Sequence, residues 1–185
     1  EQFDTPVLLK MCTRVSHSQS VVETAERAVP EAKPYVKNIQ KYVMLPANAR
    51  SRHPIVEQRT LDLVDFAEKS EINRIEMGGT EIGIITASTS YQYVKEVFGD
   101  EVSVLKLGMA WPMPVQKIKD FAAKVDRLIV VEELDPFIEE HVRQLGLEVE
   151  GKSIFSLLGE FSQRTVAEKL GTAVEVGPSF PEAIP

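Results

Sequence analysis

The chain has 185 residues, of which 43% are hydrophobic, and a formal net charge of −7. This composition suits one domain with a sizeable core, and the acidic balance argues against nucleic acid and anionic membranes as partners. The only cysteine, Cys12, leaves no intrachain disulfide, and no apolar run reaches the roughly 18 residues of a membrane span. We expect a cytoplasmic protein. Because neither an initiator Met nor a signal peptide opens the chain, we also expect it to begin inside a longer protein.

The first third of the chain predicts one strand, one helix and a connector. Residues 6–15 are apolar and β-favouring, which predicts a buried strand. Ser16 and Gln19 stand three positions apart, as in a capping box, and predict the start of a helix. Prolines then punctuate residues 28–54, which we interpret as a connector. A basic cluster lies near its end: Arg50, Arg52 and His53.

A second helix is predicted at the end of the connector. Pro54 suits the first turn of a helix, where its missing N–H has no intrahelical partner to lose. Apolar residues recur after it at near-helical spacing as far as residue 69. Within the connector itself, only residues 42–45 have the composition of a short extended segment.

From residue 80 onward the sequence alternates regularly between strand and helix patterns. Strands are predicted at residues 81–86, 102–107, 126–133 and 147–150. Helices are predicted after Ser88–Ser90, Pro114 and Asp135–Pro136, and again within residues 153–170. Strand starts about 20 to 25 residues apart are typical of right-handed β-α-β crossovers. Near-continuous apolar strands are typical of a sheet that is covered on both faces. The pattern predicts an α/β domain with an open, mostly parallel sheet.

Polar residues at two predicted strand ends are candidates for chemistry, each with a structural alternative. Residues 88–90 (STS) open a helix, where they either bind an anion or only cap the helix. Glu132 and Glu133 end a strand at the edge where open α/β sheets bind ligands. Paired carboxylates serve acid–base or metal chemistry there; in the alternative, one caps neighbouring backbone or pairs with a basic side chain, and the other is solvated.

Other motifs predict no cofactor or metal in this chain. The first regular strand runs into residues 86–91 (TASTSY) without the glycines that a dinucleotide-binding loop needs. The histidines show no metal-ligand spacing: they are His17, His53 and His141. His141 is predicted to face inward on its helix, as is Phe137 beside it. Cys12 is expected to be an inert buried thiol and Trp111 a packing anchor.

Six segments, in this order along the chain, resemble the indolepyruvate ferredoxin oxidoreductase alpha subunits of the 2-oxoacid:ferredoxin oxidoreductase family. They are TRVSHSQS (13–20), KYVMLPANARSRHP (41–54), ITASTSYQYVKEVF (85–98), VLKLGMAWPMP (104–114), VVEELDPFIEE (130–140) and LLGEFS (157–162). The resemblance covers nearly the whole chain, and its order makes coincidence a poor explanation.

The resemblance implies an enzyme that oxidatively decarboxylates a 2-oxoacid, here an aryl pyruvate such as indolepyruvate, to an acyl-CoA. It implies thiamine diphosphate, magnesium and iron–sulfur clusters as cofactors of the full enzyme, with the cofactors supplying the organic chemistry. The implied partners are a beta subunit, ferredoxin, CoA and the 2-oxoacid. Two alternatives remain open: another 2-oxoacid:ferredoxin oxidoreductase subunit, or a stand-alone flavodoxin-like binding or scaffold module.

The resemblance also implies a domain organisation. Residues 1–27 resemble the incomplete end of a thiamine pyrimidine-binding domain, residues 28–79 a connector with a helix, and residues 80–185 a transketolase C-terminal-like domain. Because the family's activating glutamate and cluster cysteines belong to other segments, we expect no catalytic, cofactor or metal residue here, and no activity of this piece alone. An unfinished sheet exposes an edge, from which we expect a homodimer in a crystal.

Three residues of the first segment are candidates for substrate binding: Arg14, Ser16 and His17. They follow the predicted first strand, whose carboxyl end would face the cofactor cleft. The guanidinium of Arg14 would match a substrate carboxylate. In the alternative interpretation, Arg14 and His17 only tie the pyrimidine domain to the connector.

Overall fold

The computed structural model describes residues 2–32 and 34–171, and the chain divides into two compact units, Glu1–Leu63 and Val64–Pro185. The first unit holds the helices α1 (Thr13–His17) and α2 (Ile39–Tyr42) and most of α3 (Pro46–Lys69). The second unit holds, in chain order, β1 (Asn73–Glu76), β2 (Gly79–Ala87), α4 (Ser88–Phe98), β3 (Val102–Leu107), α5 (Val115–Ala122), β4 (Arg127–Val131), α6 (Phe137–Gln144) and α7 (Gln163–Leu170).

The strand predicted over residues 6–15 is wrong. These residues form no strand, Leu8 is 92% exposed, and their last part forms the short helix α1. Among the described residues of this unit there is no strand to pair with, and a lone strand leaves its backbone N–H and C=O groups without ladder partners. Cys12 is consequently only partly buried, where a buried thiol was expected.

The helix predicted to begin at Ser16 is also wrong, because α1 ends at His17. The Ser16 hydroxyl does not cap a following turn. It donates to the Cys12 carbonyl oxygen at 3.2 Å, which the Ser16 backbone N–H also approaches at 3.1 Å. Ser16 therefore lies inside the short helix α1 and bonds back to its N-cap residue, Cys12.

The connecting helix α3 exists but begins eight residues earlier than predicted, at Pro46. Pro46 takes the first-turn position that was assigned to Pro54, and the Ala49 N–H donates to the Leu45 carbonyl at 2.8 Å in that turn. Pro54 instead lies inside the helix, where its ring removes one backbone hydrogen bond. The helix continues through it because the residues on both sides keep their helical bonds.

The second unit contains the predicted mostly parallel sheet, with strand order β1-β3-β2-β4. The central strand β2 runs parallel to β3 and to β4, while β1 runs antiparallel to β3 at the edge. A single parallel bridge joins Ile129 to Glu150, so the predicted fourth strand at 147–150 is reduced to one contact on the far side of β4. The α/β fold class predicted from the sequence is confirmed.

Helices cover both faces of the sheet, as the near-continuous apolar strands predicted. Alternate residues of each strand point to opposite faces, which divides the core into two clusters. On one face Ile84, Val104 and Ile129 pack with Tyr91, Val94 and Phe98 of α4 and with Val166 of α7. On the other face Ile85, Leu105 and Val130 pack with Ile118 and Phe121 of α5 and with Ile138 and Val142 of α6.

Candidate functional site

The carboxyl ends of β2 and β4 form the candidate site, which we call the switch-point edge and define as residues 88–90 and 132–135. Helix α4, after β2, packs on one face of the sheet, whereas α6, after β4, packs on the other. The two connections therefore diverge between neighbouring parallel strands, where open α/β sheets place ligands. The Thr86 hydroxyl donates to the Val131 carbonyl at 2.8 Å and ties the two strand ends together.

Glu132, at this edge, is buried and caps the start of α6. Its two carboxylate oxygens accept the backbone N–H groups of Ile138 at 2.8 Å and Glu139 at 2.9 Å. Pro136, at the N-cap, offers no side-chain acceptor, and the helix has no side-chain cap from that residue. Burial raises the pKa of the Glu132 carboxyl, although the two N–H donors oppose this shift.

The helix α5, which also follows a proline, is capped by a glutamate in the same way. Pro114 is the N-cap residue and provides no side-chain cap. The carboxylate of Glu68, on α3, accepts the N–H groups of Gln116 at 2.6 Å and Lys117 at 2.9 Å. A negative charge at a helix N-terminus is favourable, because it meets both free N–H groups and the helix dipole. Two helices that begin after proline are thus capped by a glutamate from outside the helix, which lies 6 or 7 residues before the capped N–H groups for α6 and 48 or 49 residues before them for α5.

Glu133 and Glu139 are also bound to backbone N–H groups. Glu133 accepts from the Phe161 N–H at 2.7 Å, and Glu139 accepts from the Lys152 N–H at 2.7 Å. Glu139 additionally receives the guanidinium of Arg143 at 2.8 Å. The geometry therefore supports a structural role and not an acid–base pair, although the expectation that one of Glu132 and Glu133 is only solvated is wrong, because both accept backbone N–H groups.

Lys152 is the residue of this region that sequence reasoning missed. Its ammonium donates to the Glu132 carbonyl oxygen at 2.6 Å and lies 5.3 Å from the centre of the Phe161 ring. Burial lowers its pKa, while the charges of Glu132 and Glu139 oppose that shift. No local signal identifies it, because its contacts lie 13 or 20 residues earlier in the chain, at Glu139 and Glu132, or 9 residues later, at Phe161.

Residues 88–90 start α4 without a side-chain cap. Ala87 is the N-cap residue, and no side chain there accepts a helix N–H. Ser88 has a φ of 54°, in the left-handed region that non-glycine residues seldom occupy. The capping role expected of this segment is therefore wrong, because the turn into the helix is made by the backbone of Ser88. Anion binding by it stays a prediction.

The described residues do not fit a magnesium or cluster site. Among them, no group of three or more His, Cys, Asp or Glu side chains could hold a metal ion. The carboxylates best placed for one, Glu132 and Glu133, already accept backbone N–H groups. A magnesium-bound diphosphate would have to displace these capping bonds, so we derive no chemistry of such a group here.

Three rings form an aromatic cluster beside this edge, which consists of Trp111, Phe137 and His141. Their ring centres lie between 4.7 and 6.4 Å apart, and the His141 Nδ1 approaches the Phe137 carbonyl oxygen at 2.7 Å. Trp111 is 61% and Phe137 44% exposed, so the inward orientation predicted for Phe137 is wrong. His141 is only partly buried. Ile138 and Val142 occupy the sheet-facing side of α6, which leaves the other two outside the core.

The predicted substrate-binding residues lie in the first unit, on α1. Arg14, Ser16 and His17 are all exposed. Arg14 and His17, three positions apart, share one side of this short helix. The strand whose end they were to occupy is absent from residues 6–15, which removes the structural premise of the prediction. Their role in substrate binding itself stays a prediction.

Comparison with a solved structure defines the class of this fold. The fold of the chain is similar to part of a 2-oxoglutarate:ferredoxin oxidoreductase from Magnetococcus marinus, whose structure contains 2-oxoglutarate, coenzyme A and succinyl-CoA. The match has a TM-score of 0.55 and 21% sequence identity, and covers 69% of this chain and 23% of that one. The fold is consistent with the transketolase C-terminal-like domain that the sequence predicted.

Sequence comparison shows which proteins the chain is similar to. Residues 92–177 match the family model described as an indolepyruvate oxidoreductase domain. Subunits named indolepyruvate oxidoreductase subunit IorA are 37% identical in Archaeoglobus fulgidus over 160 residues and 36% in Methanothermobacter thermautotrophicus over 164 residues, each covering 82% of this chain. The subunit of Pyrococcus horikoshii is 31% identical over 185 residues and covers 91%. The predicted resemblance is confirmed: the chain is related to the indolepyruvate oxidoreductases along most of its length.

The chain spans about a quarter of the length of these curated relatives, from 25% to 28%. Within the residues that the structure describes, no helix combines the length and the apolar character needed to cross a membrane.

Proposed function

We propose that this chain is a structural and assembly region of an enzyme that oxidatively decarboxylates aryl pyruvates such as indolepyruvate to acyl-CoA. The proposed structural role depends on the hydrogen bonds that Glu132 and Glu133 accept from backbone N–H groups. These carboxylates stand at the ligand-binding edge of the sheet, yet both accept backbone N–H groups. The relatives' name supports the substrate class.

The cofactors of the proposed enzyme are thiamine diphosphate, magnesium and iron–sulfur clusters, with ferredoxin as electron acceptor. A cluster held by four cysteine thiolates needs ligands from other segments, because this sequence has one cysteine. The proposed partners are a beta subunit, ferredoxin and CoA, and the proposed location is the cytoplasm. The role of residues 80–185 is then to hold neighbouring segments in place.

The domain assignment of residues 1–27, 28–79 and 80–185 is part of the same proposal. The compact units divide at Leu63, within α3, which is compatible with a connector that runs into the α/β domain.

Arg14 remains the proposed contact to a substrate carboxylate. In the full-length enzyme, Arg14→Ala is expected to raise the KM for indolepyruvate, and an unchanged KM and kcat would remove that role.

A homodimer is proposed as well, through the exposed edge of the sheet. Within residues 2–32 and 34–171, the edge strand β1 pairs with β3 and with no other strand, and we propose that its other side accepts a strand of a second molecule. Light scattering at increasing concentration tests this point, and a monomer throughout would contradict it.

Two assays test the proposed function. The full-length enzyme with its partner subunit is expected to reduce ferredoxin with indolepyruvate faster than with pyruvate or 2-oxoglutarate at equal concentrations. The 185-residue chain alone is expected to turn over none of the three and to give no heat with thiamine diphosphate in calorimetry. Preference for a different 2-oxoacid would change the substrate assignment, and activity of the chain alone would overturn the structural role.

A further inference from the structure

Three cationic side chains of the first unit meet at one carboxylate oxygen. The Oδ2 atom of Asp4 lies 2.6 Å from Lys41 Nζ, 3.6 Å from a terminal nitrogen of Arg59 and 3.8 Å from one of Arg52. We call Lys41, Arg52 and Arg59 the cationic trio. Arg52 belongs to the basic cluster near the connector, which the proposed oxidoreductase chemistry does not use.

The positions of the trio follow from the two helices of this unit. Arg52 and Arg59 are seven residues apart on α3, two helical turns, and so lie on the same face. Lys41 belongs to the last turn of α2, whose first turn is fixed by Asn38, which accepts the Lys41 N–H at 3.0 Å. The cations are therefore presented by hydrogen-bonded helices. Asp4, by contrast, sits in a turn with a φ of 49°.

The trio is more buried than its partner. The side chains of Lys41, Arg52 and Arg59 are 27%, 22% and 17% exposed, whereas that of Asp4 is 53% exposed. The long stems of lysine and arginine can pack along a surface while their charged ends converge. Asp4 covers the point of convergence from the solvent side.

The charges at this point do not balance. Three positive groups face one carboxylate, and among the described residues of the first unit no other acidic side chain is paired with them. Glu57, on α3, lies instead beside His53, with its Oε1 atom 3.5 Å from His53 Nε2. The hydrogen bond from Lys41 is the main reason why the pKa of Asp4 is lowered, and the charges of Arg59 and Arg52 act in the same direction. An excess of two positive charges remains, in a chain whose net charge is −7.

We propose that the cationic trio is a binding site for a phosphate dianion, and that Asp4 occupies it from within the chain as a competing anion. A phosphate carries up to two negative charges and several acceptor oxygens, so it matches the trio in charge and donor number better than one carboxylate does. Two arginine forks and one lysine are the groups that proteins commonly use for phosphate. An exposed ion pair such as that of Asp4 is weak enough to be displaced.

Calorimetry of the 185-residue chain with inorganic phosphate at low ionic strength tests the site. The unaltered chain is expected to bind phosphate, and Asp4→Asn to bind it about fivefold more tightly because the internal competitor loses its charge. Arg52→Gln is expected to weaken binding by at least about fivefold, and Arg52→Lys by less, since it keeps the charge. Arg50→Gln is the matched control, because it removes an equal charge from a different face of α3.

Binding of two further ligands, phenyl phosphate and acetate, tests which class of anion the site binds. Phenyl phosphate is expected to bind if the natural ligand carries its phosphate on an organic group, whereas binding of inorganic phosphate alone assigns the site to the free ion. Acetate, a monoanion, is expected to bind more weakly than either. Circular dichroism of every variant checks that α2 and α3 are intact.

Three results would overturn the inference. They are absence of phosphate binding by both the unaltered chain and Asp4→Asn, equal weakening by Arg50→Gln and Arg52→Gln, and unchanged affinity in Asp4→Asn. The second would mean that diffuse charge, and not the trio, attracts the anion. The inference does not depend on the proposed oxidoreductase function.

Discussion

The acidic residues of the two units are placed in opposite ways. In the second unit, Glu132 is buried and its two oxygens accept backbone N–H groups at the start of a helix. In the first unit, Asp4 is half exposed and faces three flexible cations. A carboxylate bound to backbone N–H groups in the interior is a fixed part of the fold, because removing it leaves those donors unpaired. A carboxylate that is half exposed, as Asp4 is, is screened by water and can be exchanged.

The largest effect is expected from Glu132→Ala. The substitution leaves the N–H groups of Ile138 and Glu139 without their acceptor in a buried place, which we expect to lower the free energy of unfolding by about 2–3 kcal/mol. Urea denaturation measures it. Glu140→Ala, in the same helical turn but exposed, is the control and is expected to have little effect. Equal losses in both variants would contradict the capping role.

A smaller loss, about 1 kcal/mol, is expected from Glu68→Ala. Its carboxylate caps α5 through the N–H groups of Gln116 and Lys117, but this site is more open than that of Glu132, so water can replace part of the cap. Urea denaturation again provides the measurement, with exposed Glu57→Ala, on the same helix, as the control. A larger loss from Glu68→Ala than from Glu132→Ala would contradict the claim that the more buried carboxylate contributes more to stability.

The pH dependence of the free energy of unfolding also distinguishes the buried carboxylate from the exposed one. Because burial raises the folded-state pKa of Glu132 above its ordinary value of 4.5, the folded protein holds this proton more tightly than the unfolded chain. Its contribution to stability is then greatest below pH 4.5 and declines as the pH rises through the folded-state pKa. The difference in free energy of unfolding between the unaltered chain and Glu132→Gln should fall from pH 4 to pH 8. A difference that grows with pH would contradict this assignment.

The smallest effect is expected from Asp4→Asn. Its carboxylate is exposed and its partners are long, hydrated cations, so the urea midpoint of the chain should not change measurably. A clear destabilisation would show that Asp4 holds the first unit together, and would remove the distinction drawn between the two kinds of carboxylate.

The elements of the second unit were predictable where their pattern is local. The strands β2, β3 and β4 are rich in aliphatic residues, and α4 and α5 carry apolar residues at helical spacing. The edge strand β1 escaped prediction, because Asn73–Glu76 has one aliphatic residue and its pairing with β3 is set by the tertiary fold.

The errors share the same physical cause. Residues 6–15 have the composition of a strand, but composition does not supply the neighbour that a strand needs. Pro46 and Pro54 both suit a first helical turn, and the sequence alone does not choose between them. The position of Glu132 at a strand end was predictable. Its partners were not, since they depend on how the chain turns back after Leu134, which has a φ of 60°.

The most direct test of the account measures both stability and catalysis of Glu132→Gln in the full-length enzyme. If Glu132 is a structural cap, the melting temperature falls while kcat/KM for indolepyruvate, assayed well below that temperature, stays within about twofold of the unaltered enzyme. If it is a general acid or base, kcat falls about a hundredfold or more with an unchanged melting temperature, and the account is wrong.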